Sequence, residues 1–141
     1  MAFQAKSAAA LIAALIIVYV PYFTFVGSIL ATTSEDVANV AYKPLLVLAT
    51  VPVAIIAAVS HIVLALVTPK EANQRDERDR LIDQHADQLG AYILAVGVFA
   101  GIVLAMLELA SFYVVNALMF FWVVAEVAAQ VRRLILYRRG V

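Results

Sequence analysis

Residues 89–110 read LGAYILAVGVFAGIVLAMLELA, an apolar run whose only charge is Glu108 near its end. A helix that crosses a bilayer needs about 20 such residues. Three further stretches have the same character, at residues 8–30, 44–67 and 112–136. The first two of these carry no Asp, Glu, Lys or Arg. Four such segments fix the solvent as lipid, where every backbone polar group must be satisfied within protein. The expected fold is therefore all-α: an integral membrane four-helix bundle forming a single transmembrane domain over residues 1–141.

Composition agrees. Hydrophobic residues make up 65% of the chain and charged residues 14%, against about a quarter charged in a typical soluble domain. The formal net charge is zero, which gives no electrostatic case for nucleic acid. The absence of cysteine excludes disulfides, thiolate catalysis and Cys-ligated clusters. The polar stretch from Thr68 to Gln88 is too short to fold alone. The first apolar run is longer than a signal-peptide core of 7–15 residues and lacks a small-residue cleavage site, so it is read as an uncleaved span.

Four spans place both termini on one side. Lys6, Lys70, Arg75, Arg78, Arg80, Arg132, Arg133, Arg138 and Arg139 lie on that side, and Lys43 alone on the other. The bias puts the termini and the central loop in the cytoplasm, and the localisation in a bacterial inner membrane. On the outer side, Thr33 and Asp36 have capping-box spacing, consistent with a short interfacial helix. The outer connection near Leu109–Ser111 is so brief that spans three and four must form an antiparallel hairpin. Pro21 and Pro52 interrupt the first two spans and are read as architectural kinks.

Lipid gives no hydrophobic drive between helices, so small and polar residues report packing faces. Thr50, Ala54, Ala57, His61, Ala65 and Thr68 share a face of span two. Gly90, Gly97, Gly101 and Glu108 share one of span three, with Gly97 and Gly101 in a GxxxG that fits either a neighbouring span or a homodimer seam. Trp122, Glu126, Gln130 and Arg133 share a face of span four. Span one offers only Thr24, Gly27 and Ser28, and reads as the peripheral helix. His61 and Glu126 each lie six residues from the inner end of their span, about 9 Å deep at 1.5 Å per residue. The expectation is an intramembrane polar pair of His61 and Glu126 with Gln130 and Ser60 nearby, because an unpaired carboxylate there would cost about 2–3 kcal/mol. A structural hydrogen bond and a proton or cation site are both open readings. Glu108, near the outer end of span three, reads as reaching the interface, with Asn116 as an open candidate to cap or bond it across the hairpin.

The segment from Gln74 to Gln88, QRDERDRLIDQHADQ, lacks Pro and Gly. It reads as a cytoplasmic charged helix over about 70–88 running straight into span three, supported by pairs four apart such as Asp76 with Arg80. Asp76, Asp79, Asp83 and Asp87 recur at helical spacing, but the arginines between them supply counter-charge and no Glu-x-x-His repeat is present. No metal site is expected, and Asp76, Glu77, Arg78, Arg80 and Asp83 form a candidate partner-binding surface. The tail from Arg132 to Gly140 stops span four and seats it on anionic headgroups.

Asp76-Glu77-Arg78, followed by Ile82 and an alanine-containing turn into an apolar span, resembles a family of small bacterial multi-span membrane proteins without an assigned function. The resemblance covers about residues 75–100 and the four-span layout. Genes of that family often neighbour small helix-turn-helix regulators, which implies a membrane partner for a transcription regulator and brings no catalytic residues.

Three function classes follow. The first is a non-enzymatic accessory subunit, sensor or membrane regulator working through the charged helix, as a homodimer or within a larger membrane complex, with a cytoplasmic protein partner and no cofactor. The second is a small oligomeric proton-coupled transporter or channel using His61 and Glu126. The third is a dimeric b-type haem protein, since one intramembrane histidine per chain would supply both axial ligands only across a dimer. No nucleophile–base or metal constellation is visible, so no enzyme is expected.

Overall fold

A computed structural model describes residues 2–32, 42–67 and 77–139, with the side chains of 2–7, 56–58 and 60–67 outside that description. The chain is all-α. Among the described residues four helices run in order, α1 over Ala2–Thr32, α2 over Tyr42–Val67, α3 over Glu77–Met106 and α4 over Ser111–Arg139. Among the described residues α1, α3 and α4 are long and apolar enough to cross a membrane. The helix of α2 is 26 residues long, with Pro44 in its first turn, where a missing N–H leaves no bond unmade. The interfacial helix expected near Thr33–Asp36 and the terminator at Gly140 lie outside the described residues.

The helices pack as neighbours in the order α2, α1, α4, α3, with α3 and α4 the closest pair. This corrects the peripheral placement of α1, which stands between α2 and α4. Its buried residues Ala8, Leu15, Tyr19, Tyr22, Val26 and Ile29 recur at intervals of three, four and seven, the spacing of one helix stripe. Tyr19 and Phe112 are among the most deeply buried large side chains. Around them runs a set of edge-to-face rings: Tyr19 on Trp122 at 6.1 Å, Phe23 on Phe120 at 5.5 Å and Tyr42 on Phe112 at 5.0 Å. Such pairs contribute about 0.5–1.5 kcal/mol each beyond their buried area. They hold α1, α2 and α4 together where lipid supplies no hydrophobic drive.

On α2 the packing stripe is Tyr42, Ala49 and Val53, with Leu46 half-buried. Of the expected face, Ala54 is exposed and Thr50 half-buried, with the Thr50 hydroxyl donating to Leu46 O on its own helix at 2.8 Å; the side chains of Ala57, His61, Ala65 and Thr68 lie outside the described residues. Thr24 and Ser28 of α1 do the same toward Val20 O and Phe25 O. A hydroxyl that bonds its own backbone can face lipid, so these residues do not mark a buried face.

The hairpin turn lies at Leu107–Ala110, so α3 ends at Met106 rather than at residue 110. Leu109 N–H donates to Leu104 O at 3.2 Å and Glu108 N–H to Ala105 O at 3.0 Å. These are the two bonds of a Schellman cap. Glu108 sits at its left-handed position with φ of 55°, where glycine is the usual residue. It is exposed and not part of the α3 packing face.

Candidate functional site

Gly90, Gly97 and Gly101 are all buried against α4. A Cβ on Gly97 would collide with the Phe121 side chain, and one on Gly101 would come within 2.6 Å of Leu118 Cδ2. A Cβ on Gly90 would lie 3.2 Å from both Ala125 O and Ala129 Cβ. The glycines thus let the two backbones of the hairpin approach, and the GxxxG serves contact within the chain. Ile82 and Ala86 continue the same buried stripe toward the N-terminus of α3.

That stripe continues into a polar ladder. Descending α3 from Gly101 toward Asp79, the partners on α4 ascend from Leu118 through Phe121 and Ala125 to Arg133 and Tyr137. Arg133 Nη2 donates to Asp87 Oδ1 at 2.9 Å. Its Nε lies 2.8 Å from Asp83 Oδ1, at an angle that makes the contact ionic rather than a hydrogen bond. The Tyr137 hydroxyl is hydrogen-bonded to the Asp79 carboxylate. Of the four aspartates expected to be balanced by arginines of their own helix, Asp79, Asp83 and Asp87 are engaged by α4. Among the described residues no group of three or more His, Asp or Glu could hold a metal.

Arg133 also reaches back along α4. Its Nη1 donates to Gln130 Oε1 at 2.7 Å, and Gln130 Nε2 donates to Glu126 Oε1 at 2.9 Å. Carboxylate on one side and guanidinium on the other dictate which way the Gln130 amide points. Gln130 is buried and Glu126 half-buried. Glu126 therefore has a donor on its own helix, and the grouping of Glu126, Gln130 and Arg133 expected from spacing is present. The expected partner His61 has its side chain outside the described residues, as does Ser60.

The charged segment is helical from Glu77 and continuous with the apolar part of α3. At 1.5 Å per residue its 30 residues span about 45 Å, about 15 Å more than a hydrocarbon core. Glu77 and Asp79 stand in its first turn and Arg138 and Arg139 in the last turn of α4, each complementing its helix dipole. Of the candidate partner surface, Glu77 and Arg80 are exposed, Arg78 is half-buried, and Asp83 is committed to Arg133. Asp76 lies outside the described residues.

One buried bond was not legible from spacing. Tyr22 Oη donates to Asn116 Oδ1 at 2.8 Å, and Asn116 Nδ2 donates to Phe112 O at 2.8 Å. Asn116 thus ties α4 to α1 and not to Glu108, which is a full turn beyond the helix start. Tyr19 Oη, one turn from Tyr22, is buried with no hydrogen-bond partner among the described residues.

No family model, curated protein or solved structure matches the chain.

Proposed function

We propose that the protein is a non-enzymatic membrane regulator or accessory subunit whose working surface is the water-exposed end of the α3–α4 hairpin. One observation carries this reading: α3 runs unbroken from the apolar span into a charged segment that Arg133 and Tyr137 fasten to α4. A charged helix tethered at only one end would sample many directions. Two cross-tied helices form a short stalk that presents fixed side chains, which lowers the ordering cost of binding. The outward face of that stalk carries Glu77, Arg80, Gln84 and His85. Their mixed charge suits a soluble protein partner rather than nucleic acid.

The basic residues gathered at this end support a cytoplasmic position for it, with the chain in a bacterial inner membrane. Its grouping with the small D-E-R membrane proteins, and its assembly as a homodimer or within a larger complex, belong to the same proposal. The test is affinity capture of the full-length protein in mild detergent, followed by mass spectrometry. A soluble partner should be retained by the wild type and lost on paired reversal E77R with R80E, both of which spare the Arg133 tie. Retention of that partner by the reversed protein would exclude the stalk as its docking surface. Recovery of a haem, by its absorbance, would replace this reading with the third class.

A further inference from the structure

We propose that the groove between α1 and α4 holds one acyl chain of an anionic phospholipid, with the lipid phosphate taken by Arg138 and Arg132 at its basic end. The groove encloses about 660 Å³, and Leu15, Tyr19, Phe23, Phe120, Val127 and Val131 are among its walls. Phe120 and Val131 are eleven residues apart on α4, about 16 Å along the axis. That is half of a hydrocarbon core of about 30 Å, the depth of one leaflet. The interior offers an alkyl chain no competing polar group. Thr24, the other hydroxyl in the lining, is bonded to Val20 O, and the Tyr19 hydroxyl is buried away from the surface.

Helical periodicity supplies the headgroup site. Phe120, Val124, Val127 and Val131 form the α4 wall at intervals of three and four. Two turns beyond Val131, on the same stripe, stands Arg138, about 10 Å further along the axis. Arg132 flanks it. Both arginines are exposed. Asp83 and Asp87 pair instead with Arg133, which leaves α4 on the side facing α3. Apolar trough and exposed cations at one end match a tail and an anionic head. A second copy of the chain matches less well, because copies inserted in the same sense would bring their own arginines to the same level.

The full-length protein should be moved into bilayer nanodiscs of equimolar phosphatidylglycerol and phosphatidylcholine with identical chains, and the lipids retained after release measured by native mass spectrometry. Phosphatidylglycerol should be retained in preference. R138Q and R132Q should each lower that preference by about fivefold, the contribution of one basic side chain near an anionic headgroup. R80Q, on α3 and remote from the groove, should leave it unchanged. A128W, which fills the trough, should remove both lipids. Equal retention of the two lipids by the wild type, an unchanged ratio in the R132Q/R138Q double variant, or a lipid-free dimer would overturn the proposal. The arginine variants alter only exposed side chains, so their result stands even if A128W does not fold.

Discussion

Arg133 on α4 sits between Asp83 and Asp87 of α3, with Nε 2.8 Å from Asp83 Oδ1 and Nη2 2.9 Å from Asp87 Oδ1. One guanidinium thereby spans two successive turns of the neighbouring helix. The side chains of Arg133 and Asp83 are 19% and 26% exposed, so screening by water is incomplete. Replacement R133Q removes the cross-tie and leaves Gln130 and two aspartates without it. The expected cost is about 1–2 kcal/mol, between an exposed pair and a buried one. The loss should localise to the charged end: amide exchange should quicken over residues 77–88 and remain slow around Gly97. A uniform change along the hairpin would contradict the assignment.

Two tyrosines one turn apart should respond in opposite ways. Tyr22→Phe deletes the bond to Asn116 Oδ1 and leaves a buried acceptor unpaired. The expected destabilisation is about 0.6–1.7 kcal/mol, the range for interhelical bonds in membranes. Tyr19→Phe removes a hydroxyl that has no partner among the described residues, so its effect should be neutral or stabilising. Reversible unfolding in mixed micelles compares the two directly.

Alanine at the glycines should rank by what the new methyl meets. Gly97→Ala drives it into the first atoms of the Phe121 side chain, which move only with the α4 backbone, and should cost about 1–3 kcal/mol. Gly101→Ala meets the far end of Leu118 and should cost less. Gly27→Ala meets nothing within 4 Å and should be neutral or slightly stabilising by helix propensity. Thermal melts of the three variants in one detergent test the order.

The hairpin turn contains a residue held against its preference. Glu108 adopts φ of 55°, a conformation that costs an L-residue about 1–2 kcal/mol and costs glycine little. Glu108→Gly should therefore stabilise the protein by about 1 kcal/mol, read as a raised melting temperature with no change in the retained partner.

Much of this arrangement was legible in the sequence, because lipid simplifies the problem. Length and hydropathy placed the helices. The glycine spacing named the α3 face, since only residues without a side chain allow so close an approach. The run from Glu126 to Arg133 named its own ladder through i, i+3 and i+4 spacing. What escaped was the face of an all-apolar helix. In α1 the core residues Leu15, Val26 and Ile29 are no more hydrophobic than exposed Ile17 and Val20, so polarity carries no signal there. The signal lay in the seven-residue recurrence of Ala8, Leu15, Tyr22 and Ile29 and in the paired tyrosines. Polar residues misled in turn: Thr24, Ser28 and Thr50 bond their own backbone, and Glu108 belongs to a turn. The aspartate partners were missed because counter-charge was sought along one helix rather than across two.

The account rests on α3 passing from water into lipid along a single helix, and the natural absence of cysteine allows that to be mapped one position at a time. Single variants R80C, F99C and I102C should be treated in intact membranes with a hydrophilic maleimide. All three positions are exposed on the protein surface, so only the surrounding solvent distinguishes them. R80C should react when the reagent reaches the Arg-rich side, and F99C and I102C only after the membrane is dissolved and the chain denatured. Labelling of F99C in intact membranes as fast as R80C would show that water surrounds this helix throughout, and the membrane fold would have to be abandoned.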